Sequence, residues 1–492
     1  MKKVIKYAVM TILISAILLL SWFIINNLGS LKSKLLIMLM IGVGILVKIF
    51  YPKLTKIFGH RIVKIIKHRH FSAIFIFSIL LLAIILRFGF YFAYSYMPFS
   101  DPATFLGQAQ SIASGSGLFH NTYVAFFPYL AAYSNLLGVA IKIISNPWLA
   151  IIILNTIFDI AAAFIAMILV KKISPAGSKK PLVALTLWLL NPFNIIFSVM
   201  SLPIIVVNFF IILTIFLAYI LSRKILSNKI TPILIFSILL GLAIGYGNCY
   251  RPIFIVALIA ILIFLAYLVL TNKRTSKILI LAAISSIIII VTYFGVQSLN
   301  VAFVSNQTGL NVSTNAGGWS VFVGANNKSN GSWNVEDDTY LHNILKYDRV
   351  SSYDQIQTRL TKEGADRYKS YGLVGSISLM IKKLSVFAGG QISVSDIEAS
   401  VIGYEGSATA MIFSLYILVY IFIIFIAGAR YVYLSLKDAT SGAEIKPIII
   451  FVILLALGFF FSDMFVESKE RYAQIMYPLF IILAAISTKS NQ

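Results

Sequence analysis

Long apolar runs separated by short polar breaks dominate the chain. Stretches such as "YAVMTILISAILLLSWFII" and "FSAIFIFSILLLAIIL" reach or approach the ~20 residues that carry a helix across a bilayer. Such runs recur to the C-terminus and predict crossings near 8–27, 36–51, 72–94, 148–170, 181–200, 203–222, 232–249, 252–270, 278–298, 409–428, 447–462 and 473–487. The predicted fold class is therefore an all-α polytopic membrane protein with about 12 transmembrane helices and both termini on one side. The first run is followed by further spans and lacks a small-residue cleavage site, so it reads as a retained anchor.

Charge orients this pattern. The chain holds 40 Lys and Arg against 17 Asp and Glu. Residues 2–6, 53–69, 171–180, 223–229, 273–277, 430–446 and Lys489 hold 23 of the 40 basic residues, and only Asp438 and Glu444 among the acids. All fall on one side of the predicted crossings, which should be cytoplasmic. The formal charge of +23 is then a topology signal, and no nucleic-acid partner is implied. Two apolar segments resist this scheme. A crossing by 124–144, "VAFFPYLAAYSNLLGVAIKII", would put the basic loops at 171–180, 223–229 and 273–277 outside. It reads instead as a juxtamembrane or re-entrant helix, with Pro128 and Lys142 spoiling a span. Residues 371–387, "YGLVGSISLMIKKLSVF", are short and carry Lys382 and Lys383, which suits an interfacial helix.

Four units follow: 1–70, two N-terminal helices and a basic loop; 71–298, a membrane core with the first outer loop at 95–147; 299–408, an outer soluble segment; and 409–492, the last helices. In this arrangement 14 of the 17 acids lie on the outer face. The inner loops leave little room for a site, so chemistry belongs outside. Mean hydropathy is +0.92. The single cysteine, Cys249, precludes an internal disulfide and thiol-pair metal motifs.

Scarce charges at the outer ends of spans are the candidates. Asp101, in "SDPATFLGQAQSIASG", fits an N-cap, with Pro102 at the first helical position and Gly115 as the stop. A partly desolvated acid there also suits a general base with a raised pKa. Arg87, late in a span, either snorkels to the interface or binds a phosphate. Arg251, in "GYGNCYRPIFIV", sits at a tight outer turn that needs no cation. Arg471 and Tyr472, in "SDMFVESKERYAQIMYPLF", either belong to a solvated loop or hold an anionic head group. His120 follows the first outer helix, where a lone His is ordinarily a surface residue. Glu336, Asp337 and Asp338 match no metal loop and read as a solvated acidic turn. Asp159 is the one acid inside a predicted span, functional or paired by default, with Asn155 one turn before it.

The order of these pieces resembles a known family. A span ending in an Arg-containing run leads to an outer "SD" loop continuing as "FLGQAQSIASG". Then come "FFPYLAAYSNLLGVA", "LNTIFDIAAAFIAMILVKK" and a closing "ERYAQIMYPLFIILAA". Over about 72–487 the chain resembles the GT-C superfamily of membrane glycosyltransferases. The pattern followed is that of glycosyltransferase family 39, which includes protein O-mannosyltransferases and aminoarabinose transferases. The resemblance implies a GT-C fold, a polyprenyl-phosphate sugar donor, a cell-envelope acceptor and a multi-pass protein of the cell membrane. Asp101 would be catalytic; Arg87, Arg251, Arg471, Tyr472 and His120 would bind the donor phosphate or substrate. No residues are assigned to a metal, although a divalent cation on the donor phosphate fits some members. Three features depart from the pattern: the next outer loop, "SVMSLPIIVV", lacks the second acid many members carry; Tyr129 replaces one proline of the usual double-proline element; and a basic residue that some relatives carry near that element is missing. A transporter or flippase of lipid-linked saccharides would need a polar path and usually an internal repeat, and Asp159 is nearly alone in that role. A polysaccharide ligase or polymerase is the other alternative. The sidedness carries a direct test. A reporter fused after Lys172 should behave as cytoplasmic, and an external reading would overturn both the topology and the outer site.

Overall fold

The computed structural model describes residues 12, 14–15, 71–93, 98–272, 275–348, 352–388, 408–440 and 445–487. The predicted crossings at 8–27 and 36–51 lie almost wholly outside the described residues, as does 389–407. All regular structure among the described residues is helical. Seven helices are long and apolar enough to cross a bilayer: α1 (Phe71–Ala93), α5 (Pro147–Ile173), α8 (Ile204–Leu226), α9 (Ile230–Tyr250), α10 (Phe254–Thr271), α11 (Thr275–Thr308) and α16 (Ala408–Thr440). Their outward faces remain apolar: Phe77, Phe92, Ile157, Ile287 and Val291 are each more than half exposed. Such a surface is stable against lipid rather than water, and the chain is a multi-pass membrane protein.

Two predicted crossings, 181–200 and 473–487, are shorter than the sequence pattern suggests. Residues 181–200 form two pieces, α6 (Lys180–Leu189) and α7 (Pro192–Phe197). Pro192 lacks an amide hydrogen and biases Asn191 away from helix. The Asn191 side chain then accepts from the Phe193 amide at 3.1 Å and caps α7. The ten residues of α6 rise only ~15 Å, about half a hydrocarbon core. Residues 447–462 form the 17-residue α17 (Pro447–Asp463). Residues 473–487 form a 3-10 turn (Glu470–Met476) and the 11-residue α18 (Tyr477–Ser487). Both α6 and α18 pack inside the bundle, against each other and against α5 and α16.

The remaining helices gather on one face. They are α2 (Ser100–Ala113), α3 (Thr122–Phe126), α4 (Tyr129–Ile144), α12 (Gly317–Gly324), α13 (Val335–Tyr347), α14 (Tyr353–Ser370) and α15 (Gly372–Ala388). The Ser313 amide donates to Ala125 O at 2.9 Å, and Gln357 Nε2 donates to Phe126 O at 3.3 Å. These bonds join the 299–388 segment to the first loop. Asp337 is buried, correcting its reading as part of a solvated turn. It pairs with Arg367 at 2.8 Å and accepts from Asn326 and Asn334, pinning α13 to α14. α15 shows Leu373, Val374, Ile377 and Ile381 exposed on one side, while Lys383 on the other is fully buried. Helix approach within the membrane body uses small residues. A Cβ on Gly241 would lie 2.6 Å from Thr292 Cβ, and one on Gly245 would lie 2.8 Å from Val296 Cβ, so this G-x-x-x-G pair lets α9 lie against α11.

Arg87 neither snorkels nor faces an anion site. It is completely buried and forms an ion pair with Asp159. Its guanidinium also donates to Ala83 O at 2.9 Å and Leu189 O at 3.1 Å. Asp159 accepts further bonds from Trp188 Nε1 at 2.9 Å and Asn194 Nδ2 at 2.6 Å. Asn155 Nδ2 faces the carbonyls of Phe197, Ser198 and Met200 at 3.1–3.2 Å. The network binds α1, α5, α6 and α7. Removing one member of a buried pair strands the other, at a cost of about 3–5 kcal/mol. Thermal unfolding of Arg87→Ala should show a loss of that order. The double variant Arg87→Met, Asp159→Leu should recover much of it, because two apolar groups leave no orphan charge. A fully stable Arg87→Ala protein would overturn the structural role.

Candidate active site

Asp101 stands in the first turn of α2, but it does not cap the helix. Phe99 occupies the N-cap position, with no side-chain capping bond. The Asp101 carboxylate instead forms an ion pair with Arg471, from the 3-10 turn before α18. The C-terminal end of the predicted motif holds: Gly115 takes φ +88° just beyond the end of α2, where an L side chain would be strained. The first turn is anchored from below. Ser201 Oγ, in the turn after α7, donates to Pro102 O at 2.7 Å.

Three further groups converge on this pair. The Arg251 guanidinium lies over the Tyr472 ring, 3.9 Å from its centroid, a cation–π geometry. Lys469 Nζ lies 3.2 Å from Glu467 Oε1. The Tyr472 hydroxyl donates to Glu467 Oε2 at 3.3 Å. Asp101 and Arg471 are ringed by protein yet keep 39% and 24% of their side-chain surface, as groups lining an open recess do. Burial alone would raise the Asp101 pKa. Arg471 first, then Lys469 and Arg251, outweigh it and hold the carboxyl below its ordinary 3.8. This corrects the expectation of a raised base: the carboxylate is ionised and paired. Burial works against the Arg471 charge, but Asp101, Tyr472 and Glu467 more than compensate and raise its pKa. Burial raises the Tyr129 hydroxyl well above 10.0, with added contributions from Tyr123, Tyr472 and Asp101.

Of the predicted site residues, Asp101, Arg251, Arg471 and Tyr472 come together. Arg87 belongs to the buried network already described. His120 is exposed at φ +56°; its ring lies against Phe119 and its backbone amide donates to Thr308 O at 2.8 Å. Nothing among the described residues ties the His120 ring to Asp101. Lys469 and Glu467 join the recess without having been assigned a role there. For Lys469 and Glu467 the signal was present, in charges two and four residues before Arg471. A divalent cation does not fit. Among the described residues no three His, Cys, Asp or Glu side chains converge, and the two carboxylates here are each occupied by a cationic side chain.

The 463–472 loop that delivers these cations is held by the outer layer. Lys383 Nζ donates to Met464 O at 2.8 Å and to Tyr368 Oη at 3.2 Å. The Glu467 amide donates to Ser320 O at 2.7 Å, and the Ser468 amide to Gly331 O at 2.9 Å. Ser468 Oγ donates to Asp463 Oδ2 at 2.7 Å. Gly324 admits the loop backbone, since a Cβ there would lie 2.4 Å from Val466 C. Burial holds the Lys383 ammonium below its ordinary value, opposed by the nearby Asp463 and Glu467 carboxylates.

Arg251, Lys469 and Arg471 against Asp101 and Glu467 leave the recess with one excess positive charge. Arg251 forms no ion pair among the described residues and is the cation freest to take an anion. The chain matches no protein-family model and no curated protein.

The charge excess makes a binding prediction. Farnesyl phosphate at a hundred times its dissociation constant should stabilise the solubilised protein by about 2.7 kcal/mol. Arg251→Ala should remove most of that gain while lowering ligand-free stability by about 1 kcal/mol, the worth of the lost stacking on Tyr472. An undiminished thermal shift in the variant would place the anion elsewhere.

Proposed function

We propose that this chain is a glycosyltransferase of the GT-C type, moving a sugar from a polyprenyl-phosphate donor to an acceptor hydroxyl at the outer face of the cell membrane. The observation that carries the reading is the meeting of two carboxylates, Asp101 and Glu467, with three cations in a recess at the end of membrane helices. Asp101 and the cations each have a role in the transfer. Asp101 takes the proton from the acceptor hydroxyl. The acceptor oxygen bonds to the anomeric carbon, and the bond from that carbon to the phosphate oxygen breaks. Its electron pair leaves with the polyprenyl phosphate. Negative charge therefore grows on the phosphate as the bond breaks, so Arg251, Lys469 and Arg471 stabilise the transition state more than the ground state. Tyr472 holds Arg251 in place by stacking.

Arg471 serves two anions in turn. Paired with Asp101, it keeps the base ionised but weak. A donor phosphate that draws the guanidinium away leaves Asp101 desolvated and more basic, when a base is required. The transporter alternative is weakened by the fate of Asp159. The one acid a path through the bilayer would have used is buried and committed to Arg87.

Membranes containing the chain should transfer sugar from some member of a panel of polyprenyl-phosphate sugars. Asp101→Asn should lower that rate by about 10²–10⁴. Its cost in stability should be no more than about 1 kcal/mol, because the pair is partly exposed. The folded pKa of Asp101 lies below the unfolded value. Its contribution to stability is therefore present above 3.8 and lost as pH falls through the folded value. The kcat/KM profile, which reports the free enzyme, should accordingly show no Asp101-dependent acid limb at pH values above 3.8. A near wild-type rate in the Asn variant would remove Asp101 from the chemistry.

A further inference from the structure

A cavity of about 590 Å³ lies between α9, α11, the Pro128–Tyr129 turn and the 313–316 loop. Its volume is in the range of small-molecule sites. Tyr129 and Pro252 belong to its wall, and Pro252 directly follows Arg251 of the charged recess. The cavity is thus a neighbour of the candidate active site and differs from it in chemistry. No Asp, Glu, Lys, Arg or His lines it.

The lining has two parts. One is aromatic: Tyr129, Tyr293 and Phe294. The other is a set of neutral hydrogen-bonding side chains on α9 and α11. Asn248 Nδ2 donates to Gln297 Oε1 at 2.9 Å, and Gln297 Nε2 donates to Gly245 O at 2.9 Å. Asn248 Oδ1 accepts from the Phe254 amide at 3.2 Å. The two amides are therefore fixed in orientation; Asn248 keeps a second N–H, while Gln297 Nε2 also reaches Cys249 Sγ at 3.9 Å. Ser298 and Asn300 make no side-chain hydrogen bond among the described residues. Phe294 is 55% exposed, so the cavity opens beside the outer half of α11.

This lining discriminates among ligands. A phosphate or carboxylate would find no cation there. A prenyl chain would strip water from the amide and hydroxyl groups of four residues and return no hydrogen bond. A ligand with many hydroxyls satisfies those groups and lays its C–H faces on the rings. We propose that the cavity binds an uncharged saccharide and seats the acceptor of the transfer. The word acceptor rests on the transferase reading; the saccharide binding itself does not.

The test needs no turnover. Cys249 is the only cysteine of the chain, so a Cys249→Ala, Ser298→Cys protein carries one thiol in the lining. Its labelling by a neutral maleimide is followed in lipid nanodiscs, without donor. A panel of neutral mono- and disaccharides serves as probes, with farnesol and inorganic phosphate beside them. At least one saccharide should slow labelling by about tenfold at roughly ten times its dissociation constant. Adding Gln297→Leu and Asn300→Leu should abolish that protection, with the melting temperature confirming that the variant is folded. Protection by farnesol instead would make the cavity a prenyl groove and overturn the proposal. Phosphate protection, or none by any saccharide, would overturn it too. Protection in a protein that transfers nothing would keep the saccharide site and remove the transferase reading. Transfer without protection would do the reverse.

Discussion

The arrangement depends on a helix that breaks inside the membrane and on the buried side chains that make the break tolerable. Backbone polar groups freed at membrane depth must find partners in the protein. Around residues 187–200 the partners are Arg87, Asn155 and two tyrosines. Arg87 takes Leu189 O, Tyr420 takes Leu187 O, Tyr416 takes Leu190 O, and Asn155 takes three carbonyls after α7. A buried Arg needs a counter-charge, and Asp159 supplies it. This core also fixes the position of the outer recess. The turn that Asn155 closes carries Ser201, and Ser201 holds the first turn of α2 through Pro102 O. One residue away is Asp101. The carboxylate is therefore placed by a chain of contacts that begins at an ion pair inside the bundle.

The other half of the recess is placed from the opposite direction. The 463–472 loop cannot position Arg471 and Tyr472 by its own secondary structure, since only a 3-10 turn lies there. The outer helices grip its backbone through Lys383, Ser320 and Gly331. α15 turns Lys383 toward the loop and its apolar side outward, so the element with the exposed apolar side also holds the loop that carries the cations. The recess lies where the membrane helices meet the layer of shorter helices, whose apolar side chains share one core with them, and such junctions are a common location for a ligand site.

Much of this was legible in the sequence where the physical signal is local. A bilayer imposes a length on apolar runs, and α1, α5 and α8–α10 follow it closely, whereas α11 continues to Thr308, beyond the predicted end at 298 and into the segment expected to be soluble. Charge outside the basic loops is scarce, so Asp101, Arg251 and Arg471 stood out, and they do meet. What escaped was non-local. Arg87 and Asp159 are 72 positions apart, and no spacing rule connects them; a lone Arg near a span end has the same local appearance as a snorkelling one. The broken helix at Pro192 was hidden in a run of adequate total length. Asp101 looked like a cap because Asp before Pro usually is one, yet the field of Arg471 decided the position of its side chain. That field also reversed the expected direction of its pKa. Desolvation was the foreseeable effect, and the opposing cations came from elements up to 370 positions away.

The charge distribution has a consequence for how a transfer site of this kind would avoid wasting its donor. An ionised carboxylate free in a wet recess would activate water as readily as an acceptor. Paired with Arg471, Asp101 is a poor base until another anion competes for the guanidinium. Next to it, the uncharged cavity offers nothing that would draw the donor phosphate away from Arg251. Anion binding and hydroxyl binding are thus divided between two compartments that adjoin at Arg251 and Pro252. The division follows from electrostatics alone: cations gather where the 463–472 loop meets α2, and the neutral amides lie where α9 and α11 face each other. A donor bound at the first compartment would release the base, and an acceptor seated in the second would compete with water for it.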